Sequence, residues 1–183
     1  QWVIADLGRV QTVGGVSVAI GDFVVEFPRH PAVGVSIDGE KNVRVWEVRD
    51  GGKLIGLFYG DYFARPGKGS GAWENAYRQQ ANFGGQVLPL VSNNNNFVKG
   101  KPGEKVLISL DDAQTLFHEF GHALHDLMSN VTYQSLAGTN TATDFVEFPS
   151  QVHENWVLTP EILHRYARHY QSGAAMPTAL VEK

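Results

Sequence analysis

The sequence predicts an α+β fold, with a small antiparallel sheet in the first half and helices in the second. Three observations predict it. Residues 13–63 hold valine-rich and aromatic runs broken by glycine turns. Residues 109–173 hold apolar residues at helical spacing between recognisable caps. Hydrophobic residues make up 43% of the 183 and charged residues 19%, so the chain can bury a core rather than remain disordered.

In the first half, VGGVSVAIGDFVVEF (13–27) reads as strand interrupted by glycine. VRVWEV (43–48) and KLIGLFYGDYF (53–63) flank Asp50-Gly51-Gly52, the pattern of a hairpin. QVLPLVS (86–92) is a weaker strand. The tract Asn93 to Asn96 reads as a polar loop. In the second half, Ser109 and Asp112 have capping-box spacing, followed by Leu116, Phe117, Phe120, Leu124, Leu127 and Met128 on one helix. A second helix is expected from about Thr141, with Asp144 in the capping-box position. Phe145, Phe148, Val152 and Trp156 form its apolar face, and Pro149 predicts a kink in it. Thr159, Pro160 and Gly173 bracket a third helix.

Several function classes fall away. A net charge of −4 gives no electrostatic footprint for nucleic acid. No apolar run reaches membrane-spanning length. With no cysteine there is no disulfide framework, thiolate ligand or cysteine nucleophile, which fits a reducing, cytoplasmic setting. The chain starts at Gln1 and ends in a helix just begun, so it reads as a piece of a longer protein.

The chemistry concentrates in His-Glu-Phe-Gly-His, residues 118–122. On a helix, His118 and His122 stand about 40° apart and one turn apart in height, so two imidazoles can share one ion. Glu119 points elsewhere, towards a water that such an ion would hold, as a general base beside zinc does. By chance the pattern arises in roughly one sequence of this composition in a hundred. A catalytic zinc needs a third protein ligand and an open position. His125 lies about 10 Å along the axis from His118, too far to join, and reads as a bystander. Asp144, Glu147, Gln151 and Glu154 recur on one polar face of the second helix. Spacing leaves Asp144, Glu147 and Glu154 open as the third ligand. Gly67-Lys68-Gly69-Ser70-Gly71 lacks P-loop spacing and reads as a flexible turn. Arg65 and Lys68 are candidates to hold a peptide carboxylate.

FHEFGHALH, GTNTATDFVEFPSQVHENW (138–156) and GLFYGDYFARPGKGSGAW (56–73) together resemble the thimet oligopeptidase family of zinc peptidases, M3, and within it the peptidyl-dipeptidase (dipeptidyl carboxypeptidase) and oligopeptidase A branches. The resemblance implies zincin-type helices carrying the motif of residues 118–122, and one zinc held by His118, His122 and Glu147, with Glu119 activating the water. It also implies short peptides as substrates, cut internally or by release of C-terminal dipeptides, with the 138–151 wording leaning to the latter. Asp144 and Gln151, one helical turn from Glu147, are candidates to orient the ligands. The resemblance runs from Val43 to the C-terminus as a partial catalytic domain; residues 1–42 read as a β-rich segment outside it. The family's large N-terminal helical portion and its downstream tyrosine-bearing segment are not in this chain. The alternative expectation is therefore a zinc-binding but catalytically incomplete fragment, lacking substrate-binding and oxyanion-stabilising groups.

Overall fold

A computed structural model describes residues 16–20, 23–27, 43–50, 52–98, 108–169 and 172–181. Its order is β1 (Val16–Ile20), β2 (Phe23–Phe27), β3 (Val43–Asp50), β4 (Lys53–Phe63), β5 (Trp73–Arg78), β6 (Leu90–Phe97), α1 (Leu110–Leu127), α2 (Thr143–Trp156), α3 (Pro160–Tyr166) and α4 (Thr178–Val181). The α+β class holds.

β1 and β2 form an antiparallel pair, Val16 opposite Phe27. The second sheet has the order β3-β4-β6-β5. β3 and β4 are the expected hairpin, with Gly52 in the left-handed conformation at its turn. The expectation of an antiparallel sheet is corrected by the next pair: β6 runs parallel to β4 and antiparallel to β5. The chain leaves β4, builds β5 at the outer edge, and returns to insert β6 between them, so the sheet is mixed.

β6 also overturns the loop expected at Asn93–Asn96, which are strand residues. Asparagine has poor intrinsic β-propensity, but propensity yields to context where the amides find partners, as those of Asn94 and Asn96 do. Asn94 Nδ2 donates to Trp73 O, and Asn96 Nδ2 to Gly69 O and Gly71 O. Those last two bonds tie the 67–71 turn to β6. Lys68 fastens the same turn from below. Its Nζ donates to the carbonyls of Asp61, Phe63 and Asn95 and pairs with Asp61 Oδ1 at 3.2 Å, while Arg65 pairs with Asp61 at 2.6 Å. The Lys68 side chain is 3% exposed, so it is committed to the fold rather than available to a peptide carboxylate.

α1 begins at the expected box: Ser109 Oγ accepts from Asp112 N–H, and Asp112 accepts from Ser109 N–H. Its apolar face lies on the sheet. Phe58 and Phe120 meet edge to face at 5.2 Å, within a core that includes Trp46, Val91, Leu116 and Phe117. α2 packs on α1, but not through its apolar row. Phe145, Phe148, Val152 and Trp156 are 40–60% exposed, whereas Ser150 and His153 are buried. The face that meets α1 carries Glu147, Ser150 and Glu154, because α1 presents histidines there. An apolar groove along the helix pair is lined by Leu124, Met128, Val152 and Trp156. α2 has Ala142 at its N-cap with no side-chain cap bond, so the Asp144 box is not formed. α3 ends at Tyr166; Gly173 sits in a later turn closed by the Arg168–Ala175 bridge.

Candidate metal centre

Local sequence sets the first half of the site. The α1 helix holds the His118 and His122 rings at a centroid distance of 5.0 Å. The second half depends on how close α2 comes. Gly121 decides that: a Cβ there would stand 2.5 Å from Ser150 Cα and 3.0 Å from the His153 Cβ. Only glycine lets the two backbones meet at that separation. His153 Nδ1–H then donates to Phe117 O across the seam, at 2.5 Å.

With the helices so close, Glu147 Oε2 lies 3.1 Å from His118 Nε2 and 3.2 Å from His122 Nε2. One ligand atom from each of His118, His122 and Glu147 lies within 4.8 Å of the others, the grouping among the described residues that could hold a metal ion. Two imidazoles and a carboxylate are a donor set suited to zinc. Glu147 is half exposed at 50%, which leaves the site open on one side. Ser150 Oγ, fully buried, lies 2.8 Å from Glu147 O and 3.0 Å from Glu147 Oε2, steadying that carboxylate.

Glu154 lies beside the trio rather than in it: its Oε2 is 2.6 Å from His118 Nδ1. Asp144 and Gln151 are both exposed. Neither is bonded to the trio; Ser150 and Glu154 occupy the supporting positions expected of them. Ser150 carried no sequence signal beyond its spacing, three residues after Glu147. Gly121 did carry one, as the small residue inside the five-residue motif. His125 stays apart, its ring 6.1 Å from that of Phe145.

Glu119, next to His118, is buried at 9% exposure. Burial raises its carboxyl pKa, while the neighbouring His118 and the Glu74 backbone pull it back and Glu147 adds to the rise. Burial lowers the His122 pKa, which Glu147 opposes, so the ring favours the neutral form that binds metal.

The family model described as peptidase family M3 matches residues 34–183. A dipeptidyl carboxypeptidase of Escherichia coli (strain K12) is 50% identical over 143 residues, covering 78% of this chain and 21% of the relative. Oligopeptidase A of the same organism is 36% identical over 207 aligned positions, covering 100% of this chain and 30% of the relative. A thimet-like oligopeptidase of Dictyostelium discoideum is 34% identical, covering 87% of this chain and 24% of the relative. The chain thus spans between a fifth and a third of the length of these proteins.

Proposed function

The chain belongs to peptidase family M3, and from that membership we propose that it supplies the zinc-binding and water-activating part of an enzyme that hydrolyses short peptides. The observation that carries this reading is the convergence of His118, His122 and Glu147 beside a buried Glu119. In this reading His118, His122 and Glu147 hold one zinc. Bound zinc would lower the pKa of its water and polarise the scissile carbonyl.

The remaining work falls to the chain. Glu119 takes a proton from the water as its oxygen adds to the scissile carbonyl carbon, then gives that proton to the amine nitrogen as the peptide C–N bond breaks. Its raised pKa suits both halves of that transfer. Glu154 holds His118 in one ring orientation, and Ser150 holds Glu147. β5 is one of the two outer strands of the sheet and packs beside α1, so its edge, unpaired among the described residues, is suited to receive an extended peptide as an added strand. Release of C-terminal dipeptides is our reading of its specificity, supported by the dipeptidyl carboxypeptidase relative. A cytoplasmic setting is part of the same proposal; no helix among the described residues is long and apolar enough to cross a membrane. We further propose that residues 43–183 form the partial catalytic domain and residues 1–42 a separate β-rich segment; the family match itself begins at residue 34.

A second reading is a zinc-binding piece without turnover; the chain spans 21% of the length of the dipeptidyl carboxypeptidase. One pair of measurements separates them. Zinc per chain is measured on the parent, Glu147→Ala and Glu119→Gln, and cleavage of short peptides on the parent and Glu119→Gln. The hydrolase reading expects about one zinc in the parent and in Glu119→Gln, less in Glu147→Ala, and cleavage in the parent alone. Zinc without cleavage in the parent supports the incomplete piece. Cleavage that survives Glu119→Gln overturns the mechanism.

A further inference from the structure

Asn93 lies in the middle of β6 with no exposed surface at all. Side chains alternate across a strand, so Asn93 and Asn95 share one face and Asn94 and Asn96 the other. The second pair serves β5 and the 67–71 turn, as described above. Asn93 turns instead to α1. In the orientation that satisfies both ends of its amide, Nδ2 donates to Glu119 O at 3.0 Å and Oδ1 accepts from Phe120 N–H at 2.9 Å.

Both of those backbone groups belong to one peptide group, the one that joins Glu119 to Phe120. They lie in mid-helix, where each already has a partner one turn away. The helix therefore does not need Asn93 for satisfaction, and the carbonyl has a second lone pair to offer. What the contact adds is direction. Apolar packing such as Phe58 on Phe120 is non-directional and tolerates small slides and rolls, whereas a hydrogen bond has narrow limits of length and angle.

We propose that Asn93 is a positioning residue for the metal-facing side of α1. By gripping the Glu119–Phe120 peptide group from the sheet, it sets the roll and height of the helix, and so the aim of His118, Glu119 and His122 towards Glu147. This inference rests on the reading of those residues as the working site.

Asn95 supplies the control. It is as deeply buried on the same strand face, and its Oδ1 meets no partner among the described residues. Asn93→Ala and Asn95→Ala are compared for thermal unfolding, for zinc affinity by competition with a chelator, and for kcat and KM on a short peptide. Both variants are expected to unfold at lower temperature. Only Asn93→Ala is expected to weaken zinc binding, by tenfold or more, and to lower kcat with KM unmoved. Should Asn93→Ala not fold, Asn93→Gln takes its place, since it keeps the amide but displaces it by one methylene. A folded Asn93 variant whose zinc affinity stays within twofold of the parent overturns the proposal, as does equal weakening in the Asn95 variant. A parent that binds zinc but cleaves nothing overturns the hydrolase reading alone, because the zinc-affinity comparison still decides the role of Asn93.

Discussion

Glu154 Oε2 lies 2.6 Å from His118 Nδ1, on the opposite side of the ring from the nitrogen that faces Glu147. A carboxylate can only accept, so Nδ1 carries the hydrogen and the Nε2 lone pair is left for a metal. The two carboxylates are seven residues apart, two turns of α2, and they grip one imidazole from both ends.

Removing that grip should loosen the metal without unfolding the protein. Glu154→Ala is expected to weaken zinc affinity by roughly 10- to 100-fold, and Glu154→Gln by less, since its amide oxygen still accepts the Nδ1 hydrogen. Chelator competition on the two variants measures this. Unchanged affinity in Glu154→Ala would mean that the ring is held by α1 alone.

Gly121→Ala tests the seam between the helices. The added methyl would stand 2.5 Å from Ser150 Cα and 3.0 Å from Pro149 O, both backbone atoms that cannot step aside. α2 must shift as a unit, at a cost of about 1–3 kcal/mol. The same shift carries Glu147 away from the histidines, so zinc retention should fall more than the loss of stability explains. Elemental analysis beside thermal unfolding reads both. A variant with lowered Tm and full zinc would show that the separation of the helices does not govern the site.

These two residues mark where sequence reasoning reached and where it stopped. The α1 cap, the β3–β4 hairpin and the His118–His122 pair follow from local spacing and were legible. The third member of the trio did not follow from spacing, because three carboxylates share one face of α2 and only tertiary packing ranks them; the family resemblance alone named Glu147. That packing also inverted the expected burial of α2, putting Ser150 inside and Phe148 outside. Residues 93–96 were misread for a related reason: their partners lie on β5, α1 and the 67–71 turn, distant in sequence. β5 itself, WENAYR, was missed because an exposed edge strand carries little apolar signal.

Lys68 gives a stability prediction. Burial alone would raise the Asp61 carboxyl, but hydrogen bonds from Arg65 and Lys68 hold it below the ordinary carboxylate range. Lys68→Met keeps the side-chain length, removes the donor to three carbonyls and leaves Asp61 paired with Arg65 only. The expected loss is about 2–4 kcal/mol, less than for an ion pair with no second cation. Denaturant unfolding checks it, and a change below about 0.5 kcal/mol, the range of ordinary surface substitutions, would show the lysine to be dispensable.

Glu74, in β5, should make the protein less stable as pH rises. Its Oε1 is buried without a hydrogen-bond partner among the described residues. Burial first, then the charge of the fully buried Asp126, push its pKa from 4.5 up to about 9. Between those two values the folded state keeps a proton that the unfolded chain releases. Stability therefore falls as pH rises through that window, by on the order of 3 kcal/mol at pH 7. Glu74→Gln preserves the shape and removes the ionisation. Parent and variant should be about equally stable near pH 4.5, and the variant should be the more stable at pH 8. Unfolding curves taken across that range decide it: parallel pH dependence in the two proteins would mean that Glu74 ionises in the fold as readily as in the open chain.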